Sequence, residues 1–80
     1  MFSYKTQGVC SKEIKFDIID NKIAKVVFVG GCPGNLLGIS KLVEGLEPKE
    51  AITRLKGVRC GSKSTSCPDQ FAIALEEYCK

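Results

Sequence analysis

This 80-residue sequence predicts an α+β fold: a small, mainly antiparallel sheet of about three strands, followed by three helices packed on one of its faces. Three observations predict it. Residues 2–6 and 13–20 alternate apolar and polar side chains at the period of a strand, and residues 23–29 form a third, largely apolar run of strand length. Beyond Gly30 the apolar residues recur at helical spacing. Each of the three prolines stands at the front of one of those helical stretches, where a missing backbone N–H costs nothing. Strands first and helices afterwards is the order expected when helices are segregated to one face of a sheet.

The elements follow in turn. Phe2-Ser3-Tyr4-Lys5-Thr6 alternates aromatic and polar, as a short strand with one buried face does, and Gly8 marks the turn that delivers Val9 and Cys10. From Glu13 to Asp20, Ile14, Phe16 and Ile18 alternate with charge, and Asp20-Asn21 suits a tight hairpin turn. The next strand, Ile23 to Val29, is apolar on both faces at Val26-Val27-Phe28-Val29 and is therefore expected to be central and covered. Strands one and three of such a meander end at the same side of the sheet, which brings Cys10 and Cys32 to a shared edge. Their strand axes would lie about 4.8 Å apart if adjacent and about twice that if strand two intervenes.

Gly30-Gly31-Cys32-Pro33-Gly34-Asn35 opens the first helix, with Leu36, Ile39 and Val43 at helical spacing, Leu42 and Leu46 beside them, and an end at Gly45. Glu47-Pro48 opens a second, buried through Ala51, Ile52 and Leu55 and ended by Gly57. A loop at 58–64 leads to Thr65-Ser66-Cys67-Pro68-Asp69-Gln70-Phe71. Here a third helix starts with a thiol built into its first turn and runs to about Cys79, its apolar stripe being Phe71, Ala74, Leu75 and Tyr78. Either Ser66 caps this helix with Asp69 three residues on, or Cys67 is itself the cap. In both registers the sulfur lies beside unpaired backbone N–H groups, which stabilise a thiolate.

A chain this short buries about 60–65% of its unfolded surface and draws roughly 3–5 kcal/mol from its core, so a staple is expected. No apolar run approaches the roughly 20 residues of a membrane span, and Met1-Phe2-Ser3-Tyr4-Lys5 lacks the features of a secretory signal, which points to the cytosol. Thiols there are normally reduced, and five cysteines make an odd count for a closed disulfide framework. The chain has no histidine, which removes Ser-His-Asp and Cys-His catalysis and Cys₂His₂ metal sites together. A net charge of +3 does not by itself argue for nucleic acid. The cations Lys49, Arg54, Lys56, Arg59 and Lys63 read as a solvated helix face and loop, with few aromatics among them to stack bases.

The cysteines support several chemistries. Cys10, Cys32, Cys60 and Cys67 could form a tetrahedral thiolate site for zinc, or secondarily for iron or an iron–sulfur cluster. Two helix starts and the cations Lys56, Arg59 and Lys63 would offset its charge, although C-x21-C-x27-C-x6-C contains no Cys-x-x-Cys knuckle. Structural zinc can supply about 10–16 kcal/mol of apparent binding energy, several times what the core yields. Alternatively Cys67 with Cys60 or Cys32 forms a redox dithiol. The plain alternative is that these residues pack as small buried side chains. A fourth reading makes the strand-to-helix turn at Gly31, Gly34 and Asn35 an anion site for phosphate or nucleotide, though without the Gly-Lys-Ser/Thr ending of a Walker loop. Cys79, about 18 Å from Cys67 along a regular helix, stands outside all of these.

Thr65-Ser66-Cys67-Pro68-Asp69 carries a resemblance. Together with Gly-Val-Cys10-Ser, Gly31-Cys32-Pro33-Gly34-Asn35 and Cys60-Gly61, it resembles the small stand-alone proteins of the TSCPD domain family, over residues 1–80 as a single domain. That family is similar to the C-terminal part of adenosylcobalamin-dependent ribonucleotide reductases, and its members often bear the label ribonucleoside-diphosphate reductase. The resemblance implies a cysteine module that partners a ribonucleotide reductase or another redox protein. It does not imply independent catalysis, since 80 residues leave no room for a nucleotide-binding barrel with its radical cysteine and cofactor.

Overall fold

A computed structural model describes residues 2–9, 11–31, 33–59 and 61–79. Its strands are β1 (Phe2–Lys5), β2 (Ser11–Ile19) and β3 (Lys22–Gly30), and its helices α1 (Pro33–Val43), α2 (Pro48–Leu55) and α3 (Cys67–Cys79). The sheet is antiparallel throughout in the order β1-β2-β3, with the helices after it, so the α+β expectation holds. The β2–β3 hairpin closes through Asp20 and Asn21, both left-handed at φ 53° and 60°, as a two-residue type I′ turn requires.

One expectation fails. β3, apolar on both faces, is an edge strand, and the central strand is β2. Val27 and Val29 remain 38% and 37% exposed because the helices all lie on the opposite face. What reads as two-sided burial comes in part from a bulge. Asp17 pairs with Lys25 and Ile18 with Ile23, so Ala24 is an extra residue that lets both Ile23 and Val26 face the core, at 1% and 6% exposure.

A second bulge sits where β2 begins. Ser11 pairs with Gly30 and Glu13 with Val29, which makes Lys12 the extra residue. A one-residue offset reverses the face of every residue beyond it. Ser11 is thereby turned inward with Ile14 and Phe16 and is buried. At this end of the sheet lie the end of β1, the start of β2 and the end of β3.

The core gathers Ile14, Phe16, Ile23 and Val26 from the sheet with Val43, Ala51, Phe71, Ala74 and Leu75 from the helices. Phe71 meets Phe16 and Phe28 edge-on, with ring centroids 5.7 and 6.1 Å apart, the geometry favoured by aromatic quadrupoles. Tyr78, the last member of the expected stripe, is partly exposed and packs edge-on against Phe2. Leu42 on α1 is exposed. Among the described residues no helix is long and apolar enough to cross a membrane.

Candidate functional site

The start of α3 is fixed by hydrogen bonds from three separate parts of the chain. Ser66 Oγ accepts from the Asp69 N–H at 3.1 Å, so Ser66 is the N-cap and Cys67 the first helical residue. This settles the capping register. The Ser66 hydroxyl also donates to the Val58 carbonyl at 2.6 Å and thereby ties the preceding loop to the helix.

Asp69 does not reach back toward the cap. It is buried, and one carboxylate oxygen accepts the Gly57 N–H at 2.7 Å while the other accepts the Thr65 hydroxyl at 2.5 Å. Bonds to an ionised acceptor are the stronger kind, and this carboxylate sits in the first turn, where the helix dipole favours it. Thr65 Oγ1 in turn accepts from Gln70 Nε2 at 3.0 Å, and Gln70 Oε1 accepts the Gln7 N–H at 3.1 Å. A relay thus links the α2 exit, the α3 start and the β1–β2 connection, and no buried side-chain polar atom among the described residues lacks a partner.

Within this frame the half-buried Cys67 places its sulfur 3.2 Å from the Ser11 hydroxyl, a separation at which either atom can donate. Ser11 also packs against Gly31. A Cβ on Gly31, whose φ is +82°, would stand 3.2 Å from the Ser11 N and 2.7 Å from Leu36 Cδ1. Ser11, the residue that follows Cys10, therefore touches both Gly31, the residue that precedes Cys32, and Cys67 itself. The aligned starts of β2, α1 and α3 bring them together.

The predicted ligands Cys10, Cys32 and Cys60 lie outside the described residues. Among the described residues there is no group of three or more His, Cys, Asp or Glu side chains close enough to hold a metal. Cys79 is exposed at the far end of α3, as its spacing from Cys67 requires. Of the cations expected to balance thiolate charge, Lys56 instead reaches Glu76 at 2.7 Å, nine residues and about 13 Å along α3 from Cys67. Arg59 and Lys63 are exposed. The anion-site candidates Gly34 and Asn35 are exposed on the first turn of α1, and Gly31 is occupied with packing against Ser11 and Leu36.

Three participants, Ser11, Thr65 and Gln70, carry little sign of their role in the sequence. Ser11 was hidden because only the Lys12 bulge turns it inward, and a bulge is invisible until two strands are compared. Gln70 and Thr65 were hidden because a polar residue in the first turns of a helix, or just ahead of its cap, reads as solvated. A signal for Thr65 was present in its position four residues ahead of Asp69.

The fold and site define a small α+β domain in which a hydrogen-bonded helix start presents a cysteine to the end of a sheet. The TSCPD domain family model matches residues 2–79, and the chain belongs to that family. The residues that give the family its name are those of the α3 start, where Thr65, Ser66 and Asp69 each hold a position and Cys67 is the group held. No curated protein and no solved structure matched the chain.

Proposed function

We propose that this protein is a cytosolic cysteine module, allied to ribonucleotide reductase, in which Cys10, Cys32, Cys60 and Cys67 hold a zinc ion. The observation that supports this most directly is the meeting of Ser11, Gly31 and Cys67, because two of the three are chain neighbours of Cys10 and Cys32. The Ser66–Val58 bond adds the loop that carries Cys60. Four thiolates are one of the tetrahedral donor sets that hold structural zinc. When bound, the metal supplies a cross-link between strands, loop and helices that a core of this size lacks. The Asp69 relay fixes the α3 start so that Cys67 is presented rather than free to swing.

The reductase association rests on the family resemblance. Ribonucleotide reduction converts a dithiol to a disulfide at each turnover, so a partner rich in thiols is chemically apt. The experiment is metal analysis of untagged protein purified without chelator, together with titration of its free thiols. The expected result is close to one zinc per chain, with four thiols becoming reactive only after chelation and with zinc lost in Cys67→Ser. Folded, metal-free protein with every thiol alkylatable would remove the zinc reading. A single reversible disulfide, abolished by Cys67→Ser, would replace it with the redox dithiol.

A further inference from the structure

The β3 edge presents a contradiction within the fold. Edge strands in monomers are usually blunted by charge, proline or bulges, because their unpaired N–H and C=O groups invite another strand. The first half of β3 is treated in this way. It carries Lys22, Lys25 and the Ala24 bulge, and Ile23 exchanges both backbone groups with Gly45 and Leu46, at 2.7 and 2.8 Å. The second half is not. Among the described residues no backbone hydrogen bond reaches residues 26–29 from outside the sheet.

The chain segment that forms that bare edge and the helix after it is also uncharged. Residues 26–40 contain no Asp, Glu, Lys or Arg in a chain that is 26% charged, and a lysine stands at each end of the run, Lys25 and Lys41. The run covers the open half of β3 and most of α1. Between them lies a groove of about 350 Å³ lined by Val26, Val27, Phe28, Leu36, Leu37 and Ser40, over which Leu37 is left 60% exposed. A nucleic acid or an acidic peptide finds no complement here. What does fit is a stretch of strand that is itself apolar on both faces and neutral, and residues 26–29 of β3 are such a stretch.

We propose that β3 pairs antiparallel with β3 of a second copy about a two-fold axis at Val27, forming one six-stranded sheet with both α1 helices on the same face. Val27 is the midpoint of the regular stretch 25–29, between the bulge and the left-handed Gly30 at φ +81°. In this register Lys25 lies opposite Val29 of the other copy rather than opposite its own counterpart. β3 then lies inside the sheet rather than at its edge, and on the outward face Val27 gains its counterpart as a cross-strand neighbour. About a dozen residues a side, at about 30 Å² each, bury about 700–900 Å² in all, which is the range of weak and reversible association. The dimer therefore forms and dissociates with concentration.

The test is sedimentation velocity in reducing buffer from about 10 µM to 1 mM. The wild-type mass is expected to rise toward twice the 8.7 kDa of the chain. Val27→Glu and Val27→Lys, each on the outward face of the sheet, are expected to remain monomers alone, because like charges directly opposite repel, and to regain the dimer when mixed. Wild type that stays monomeric to 1 mM, its edge left for some other chain, overturns the proposal, as does Val27→Glu dimerising like wild type. Amide exchange in the wild-type chain needs no variant: protection of residues 26–29 should rise with concentration, and protection that does not change would equally overturn it.

Discussion

Replacing Asp69 by alanine is the sharpest test of the hydrogen-bonded helix start. Asp69→Ala removes the acceptor of two donors, the Gly57 N–H and the Thr65 hydroxyl. An orphaned donor in a buried setting costs about 1–3 kcal/mol. Gly57 is exposed and Thr65 half-buried, so water partly compensates and the low half of that range applies to each. Loss of an acid from the first turn adds about 0.3–1 kcal/mol. The sum is about 3 kcal/mol, a large share of the roughly 4–12 kcal/mol expected for a domain of this length. It corresponds to a fall in Tm of about 12–24 °C. Asp69→Asn keeps an oxygen for Gly57, and the Thr65 hydroxyl can turn to accept, so that variant should lose only about 1 kcal/mol. The assay is urea unfolding followed by circular dichroism, with reductant and one fixed zinc concentration throughout. A loss below about 1 kcal/mol for the alanine variant, or equal losses for both, would refute the assignment of Asp69 as the tie between the α2 exit and the α3 start.

Three further outcomes are expected. Gly31→Ala must place a methyl against Leu36 and the Ser11 backbone at φ +82°, whereas Gly45→Ala at φ +87° meets nothing within 4 Å. Thermal melts should therefore show the first losing about 2–3 kcal/mol and the second only the backbone penalty of about 1–2 kcal/mol; equal losses would mean that Gly31 is not packed as described. Phe71→Ala empties the centre of the aromatic cluster and should cost about 3–5 kcal/mol, enough to leave much of the chain unfolded by near-ultraviolet circular dichroism at 37 °C; a native-like spectrum would contradict its central place. Cys79→Ser, at an exposed position, should change stability by no more than about 0.5 kcal/mol and leave the metal content unaltered, and a loss of zinc in that variant would extend the site to the far end of α3.

The sequence alone determined the local structure, because local structure is set by chemistry a few residues in range. Pro33, Pro48 and Pro68 announced three helices, Gly45 and Gly57 their ends, and Asp20-Asn21 the hairpin, since each residue type either permits or forbids a backbone conformation where it stands. The alternation in β2 named Ile14 and Phe16 as core. It also singled out Cys67 as a thiol at a helix start. Tertiary structure decided the remainder. Whether β3 was central or at an edge depended on which strand lay beside it, and its hydrophobic pattern is the same in either place. The bulges at Lys12 and Ala24 exist only as a mismatch between two strands, yet they determine that Ser11 faces Cys67 and that Ile23 and Val26 share the core. The burial of Asp69 required Gly57, twelve residues away along the chain, to arrive with its N–H free. Such long-range pairings carry no local signature, because the partner that satisfies a polar group is selected by packing rather than by its neighbours in sequence.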